Sequence, residues 1–139
     1  MTRFDTMILM LLGMLLMHCI EDFHVQGILA NLKRYEWWLD EFMKQGRDLP
    51  PRYAKDYLVA LVAHSFEWTM FVLAVPIALG MHRHMDQVLL FAIVNTAIHA
   101  FVDNLKANEH LISLVADQAI HLAQIVCIWI GCAIAIHCF

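Results

Sequence analysis

The chain has 139 residues, 61% of them hydrophobic and 16% charged, with a net charge of −4 at neutral pH. So apolar a composition argues against an ordinary soluble domain, whose helices need polar faces, and the lack of a basic cluster argues against nucleic acid as a partner. The four cysteines (Cys19, Cys127, Cys132, Cys138) form no C-x-x-C pair and no framework spacing, so they read as apolar filler, with Cys138 a candidate exposed thiol.

Taken in chain order, four apolar stretches approach the ~20 residues needed to cross a bilayer: 6–28, 57–80, 86–105 and 111–137. The first lacks a small-residue cleavage site and its pattern continues past His18, so it is expected to be retained as a span. Between it and the second lies a polar loop, 29–56. There Tyr35, Trp38, Leu39, Phe42 and Met43 fall at i, i+3, i+4, i+7 and i+8, the mark of an amphipathic helix. With Trp37 beside them the segment is expected to be an interfacial anchor, a cover over a polar site being the alternative. Pro50 and Pro51 end it.

The remaining links, around 82–84 and 106–110, are short, which makes the second, third and fourth helices antiparallel neighbours. The expected fold is one all-α transmembrane domain, a four-helix bundle with an amphipathic helix in its first loop. Lys33, Arg34, Lys44, Arg47, Arg52, Lys55 and Lys106 lie on the side of the long loop, against Arg3 and Arg83 on the other. Seven against two predicts that the loop is cytoplasmic and both termini are outside.

Seven ionisable residues fall inside these spans: His18 and Asp22, His64, His99 and Asp103, Asp117 and His121. Three helices carry a His and an Asp four residues apart, on one helical face. Antiparallel topology brings all seven to one depth, about 5–12 Å below the cytoplasmic interface at 1.5 Å rise per residue. Three Asp side chains facing lipid would cost about 8–10 kcal/mol together, so something must compensate them. Gln26, Asn95, Lys106 and Gln124 extend the same polar seams. His24, His82, His84, His110 and His137 lie at helix ends or in loops and read as solvated. Glu21 and Glu67, each three residues from a site histidine, are ambiguous: each is a candidate general base, further ligand or partner for the loop's basic residues, and Asp117 is a candidate base as well.

Imidazole plus carboxylate suits zinc first, with manganese, iron or nickel behind it. Seven groups exceed one tetrahedral set, so either two ions are held or some carboxylates orient the histidines. His18, His64, His99 and His121 form the expected core. A metal-dependent hydrolase acting near the inner leaflet is the leading expectation. A divalent-metal or proton transporter, a haem protein and a structural membrane factor stapled by metal are the alternatives. A homo-oligomer is compatible, since four short spans leave little room to enclose seven polar groups.

The elements H18-x3-D22-F23-x2-Q26, His64, H99-x3-D103-x2-K106 and D117-Q118-x2-H121 resemble a family of small bacterial and phage integral-membrane proteins known as a domain of unknown function. The resemblance covers nearly the whole chain and implies a membrane location and a bacterial or phage origin, but no reaction. Glu21, just before Asp22, departs from the small residue that pattern favours. More loosely, the His/Asp arrangement looks like that of membrane-embedded metal hydrolases such as the alkaline ceramidases, an analogy of site chemistry.

Overall fold

Thr2 and Asp5 start the first helix with a capping box. Thr2 Oγ1 accepts from Asp5 N at 3.1 Å, and Asp5 Oδ2 accepts from Thr2 N at 2.7 Å. In this computed structural model, which describes residues 2–138 and side chains through 136, α1 (Arg3–Ile20) ends in a π-helical turn, Glu21–Val25. The wider turn re-aims the helix face just where two acids follow one another. Glu21 becomes fully buried and Asp22 keeps only 7% of its side chain exposed, while Phe23, His24 and Val25 face outward. Gly27, at φ +49°, then turns the chain away, a conformation costly for a side chain with a Cβ. The first span therefore stops at Val25, three residues before the expected end.

The loop folds into α2 (Leu29–Leu32), α3 (Tyr35–Lys44) and a 3-10 turn, Pro51–Tyr53. Next come α4 (Asp56–Ala78), a 3-10 turn at Met81–Arg83, α5 (Met85–Ala107) and α6 (Leu114–Cys138). Ser113 Oγ accepts from Ala116 N at 3.2 Å and so caps α6. No strand occurs among the described residues. The result is a four-helix bundle of spans Arg3–Val25, Pro51–Ala78, Met85–Ala107 and Leu114–Ile136, all long and apolar enough to cross a membrane.

Packing divides the bundle into two halves. Toward the termini, Met10, Met14, Val72, Leu73, Met81, Ile125 and Ile128 form a closed apolar core. Gly13 lets α1 approach α4 there, since a Cβ on it would stand 2.9 Å from Val75 Cγ1. Trp129 Nε1 donates to Met7 O at 2.9 Å and ties α6 to α1. Only 22% to 44% of each span is buried within the molecule. The outward remainder is apolar, with Leu12, Val59, Leu89 and Val115 all more than half exposed. Hydrocarbon is the solvent that suits such a surface.

The loop closes the other half. Tyr35 N donates to Asn108 Oδ1 at 2.8 Å, and Asn108 Nδ2 donates to Lys33 O at 3.1 Å, which fastens the α2–α3 junction to the end of α5. Expected as an anchor, the loop thus divides its work. α2 and Lys33 cover the polar half, while α3 keeps its amphipathic form, with Trp37, Trp38, Leu39 and Phe42 half-buried and Glu36 and Asp40 exposed.

Candidate metal centre

Each long helix delivers part of one buried cluster beneath the cover. His18 comes from the last turn of α1 and Asp22 from the π turn; His64 comes from α4, His99 and Asp103 from α5, Asp117 and His121 from α6. His64, His99, Asp117 and His121 are fully buried, and His18 and Asp103 nearly so. A single chain encloses all seven expected groups, so lack of room supplies no argument for an oligomer.

Among the described residues, two groups each bring their ligand atoms within 4.8 Å of one another: Asp22, His64 and His99, and His99, Asp103 and His121. His99 belongs to both. Its Nε2 is 3.4 Å from His64 Nε2 and 3.7 Å from Asp103 Oδ1. Asp103 Oδ2 is 3.3 Å from His64 Nε2, and Asp103 Oδ1 is 3.2 Å from His121 Nε2. Asp117 Oδ1 lies 3.3 Å from the same His121 nitrogen. These buried His/Asp groups are arranged so that they could hold a metal ion.

The outer hydrogen bonds decide which ring nitrogens face inward. Gln124 Nε2 donates to Asn95 O and Oδ1, both at 3.3 Å, which leaves Gln124 Oε1 to accept from His121 Nδ1 at 3.1 Å. His121 Nε2 then faces two carboxylate oxygens, an arrangement that requires a proton or a metal ion between them. Similarly, Glu21 Oε1 stands 3.0 Å from His64 Nδ1 and turns His64 Nε2 toward Asp103 and His99. That contact is at ion-pair distance but off the line of a hydrogen bond, so both Glu21 oxygens stay without a donor. His99 Nδ1 and Asp117 Oδ1 are also buried without a hydrogen-bond partner.

His18 differs from the other three histidines. Its Nδ1 accepts from Trp68 Nε1 at 2.8 Å, and it belongs to neither group of close ligand atoms. Of the four histidines expected to form the core, His18 thus stands at the edge of the close ligand atoms, 3.4 Å from Asp22 Oδ2. Trp68 forms the floor between site and apolar core. It stacks on His99 at 4.3 Å between centroids, and His99 stacks on His121 at 4.0 Å.

Two lysines enter the cluster. Lys33 reaches down from the cover, its Nζ donating to Asp103 Oδ2 at 2.6 Å with both side chains buried. Lys106 Nζ donates to Asp117 Oδ2 at 2.8 Å, and Gln118 Nε2 bridges Asp22 Oδ2 and Asp117 Oδ2, each at 3.1 Å. Gln26 Nε2 turns back to donate to Asp22 O. Four carboxylates (Glu21, Asp22, Asp103, Asp117) against two ammonium groups leave two negative charges when the imidazoles are neutral. One divalent cation would balance them.

Of the three expected general bases, Asp117 faces the cluster, Glu21 sits behind His64, and Glu67 lies half-buried on α4 outside either ligand group. His24, His82 and His110 are exposed and His84 is half-buried; the side chains of His137 and Cys138 lie outside the described residues. Cys19 and Cys127 are exposed on their helices, and Cys132 is buried in the apolar core. Sequence reasoning counted Lys33 as a surface cation and passed over Trp68 and the amide of Gln118. The signal for Lys33 was the unbalanced charge itself, since buried acids need partners. Compared with protein families, with curated proteins and with solved structures, the chain matches none.

Proposed function

We propose that the cluster binds a divalent metal ion, zinc first, and that the protein is a membrane-embedded metal-dependent hydrolase acting on a lipid or other membrane-proximal substrate at the cytoplasmic leaflet. One observation carries this reading. The edge of a tetrahedron with bonds of about 2.0–2.1 Å is about 3.3–3.4 Å; His64 Nε2 lies 3.4 Å from His99 Nε2 in one group of close ligand atoms, while His121 Nε2 lies 3.2 Å from Asp103 Oδ1 in the other and 3.3 Å from Asp117 Oδ1. The two groups, Asp22 with His64 and His99, and His99 with Asp103 and His121, are the ligand sets this geometry favours, with Asp117 beside the second.

A bound metal supplies a Lewis acid and lowers the pKa of a water toward about 7. Asp117 is the chain's own proton acceptor. Lys106 and Gln118 hold its Oδ2, while Oδ1 stays turned to the cluster without a hydrogen bond. Glu21 is the positioning residue for His64, in the manner of a carboxylate that orients a metal-ligating imidazole. Trp68 and the apolar core beneath it close the far side, which speaks against a transport path through one chain. The seven-to-two distribution of Lys and Arg supports a site on the cytoplasmic side, and the resemblance supports a bacterial inner membrane. The motifs support placing the chain beside the small bacterial and phage membrane proteins it resembles.

The test is elemental analysis of protein purified in detergent without chelators, beside a hydrolysis screen on ester-, amide- and phosphoester-bearing lipids. One or two equivalents of zinc or another transition metal, with turnover that a chelator abolishes, are expected. No metal after reconstitution with zinc and manganese overturns the reading, and the inward nitrogens would then carry protons instead. Metal without turnover on any substrate class would leave a structural ion. In the same assay Glu21→Gln is expected to weaken zinc binding by about 10–100-fold while the helical content stays unchanged. Unaltered affinity would remove Glu21 from its positioning role.

A further inference from the structure

The polar half of the bundle opens outward in two stages of opposite charge. The inner one is a pocket of about 50 Å³ walled by Asp22, Asp103 and Asp117 together with Gln118. The outer one is a vestibule of about 310 Å³ bounded by Gln26, Lys33, Arg34, Lys106 and His110, with Asp103 at its floor. Gln26, Lys33, Asp103 and Lys106 line both, so the two adjoin across these side chains. Acceptors suited to a cation lie within, and donors suited to an anion lie on the way in.

The donors are built into the fold. Lys33 is 8% exposed, a degree of burial that lysine reaches only with a partner. Lys33 and Lys106 each spend one contact on a carboxylate, at 2.6 and 2.8 Å, and an ammonium group has three N–H bonds to give. At the rim, one half-exposed carboxylate bridges the remaining guanidinium and imidazole. Glu36 Oε2 is 3.4 Å from an Arg34 Nη atom, and Glu36 Oε1 is 3.3 Å from His110 Nε2. Glu36 thus stands where an incoming anion would bridge the same guanidinium and imidazole. The short helix and Asn108 hold the Lys33–Arg34 backbone over α5, so these donors do not depend on a free loop.

We propose that the vestibule binds a phosphate group of the substrate, held by Lys33, Arg34, Lys106 and His110 and thereby presented to the inner pocket. The proposal deepens the hydrolase reading and rests on it for the purpose of that presentation: the substrate class is a phosphate ester. Such a group comes either from a lipid headgroup at the membrane surface or from a free phosphate ester in water, and the recognising chemistry is the same.

The experiment titrates inorganic phosphate into zinc-loaded and zinc-free protein in maltoside micelles, which contain no phosphate, by calorimetry. A second arm adds phosphatidic acid, or neutral diacylglycerol as its control, and asks whether either displaces phosphate. Binding is expected, about tenfold weaker in Arg34→Gln, which loses a charge-assisted contact. Glu36→Gln, which releases Arg34 and His110, is expected to bind several-fold tighter, and zinc content should stay unchanged in both variants. A general loss of structure cannot produce changes of opposite sign. Displacement by phosphatidic acid alone assigns the lipid source, and none by either lipid assigns a free phosphate ester. Absent phosphate binding, or binding indifferent to both variants, in protein that carries zinc would overturn the vestibule and leave the metal site standing. Phosphate binding that follows both variants in protein that takes up no zinc would keep the anion site and sink the hydrolase.

Discussion

Replacing His99 with alanine is expected to abolish metal binding and to lower stability by about 3–5 kcal/mol. His99 is the one residue common to both groups of close ligand atoms, so its loss breaks either set. Its ring is fully buried and stacked between Trp68 and His121. Deleting it opens a cavity between two aromatic surfaces and takes a polar neighbour from Asp103. His99→Gln separates the two effects: the amide fills much of the volume and lacks the imidazole ligand, so most of the stability should return without the metal. Thermal unfolding in detergent with and without zinc reads both. Zinc at 100 times its Kd should stabilise the unaltered protein by about 2.7 kcal/mol and either His99 variant by nothing measurable. His82→Ala, at an exposed site in the opposite end of the bundle, should match the unaltered protein in both readings. Full zinc occupancy in His99→Gln would dismiss both groups as the metal site.

The features legible in the sequence were those set by local periodicity. Four spans, their antiparallel order and the common depth of His18, Asp22, His64, His99, Asp103, Asp117 and His121 all follow from hydropathy and i, i+4 spacing. What escaped depends on contacts distant in the chain. The Lys33–Asp103 pair joins residues 70 apart, and no window of sequence reveals that a loop lysine will be drawn inward by a carboxylate on α5. Glu21 stayed ambiguous because a regular helix would turn its side chain away from that of Asp22. In the structure Glu21 stands beside His64 Nδ1 and Asp22 near its Nε2, so the two adjacent acids flank one imidazole. Trp68 looked like any apolar residue of a span, because its role lies in the indole N–H to His18 and the ring face against His99. Position along the chain identified the layer; the partners inside it are a property of packing.

Lys33→Met is expected to destabilise the zinc-free protein by about 3–5 kcal/mol and yet to tighten zinc binding tenfold or more. The destabilisation follows from leaving Asp103 buried without its ammonium partner at 2.6 Å. The tighter binding follows from the same charge. A unit charge about 5 Å from a divalent ion is worth about 7 kcal/mol at an effective dielectric of 20, and Lys33 sets a positive one beside the carboxylate that His64 and His121 share. Its removal makes the cluster one charge more negative, so zinc should raise the unfolding temperature of the variant by more than it raises that of the unaltered protein. The double variant Lys33→Met, Asp103→Asn removes both partners. It should regain part of the lost stability, with a coupling energy of about 1–3 kcal/mol in the double-mutant cycle, but no zinc response, because the ligand has gone with the charge. A zinc response in Lys33→Met equal to or smaller than in the unaltered protein would mean that the lysine and the metal do not compete. Asp103 would then be an ion-pair partner only, and the ligand set would have to be sought around Asp22, His64 and His99 instead.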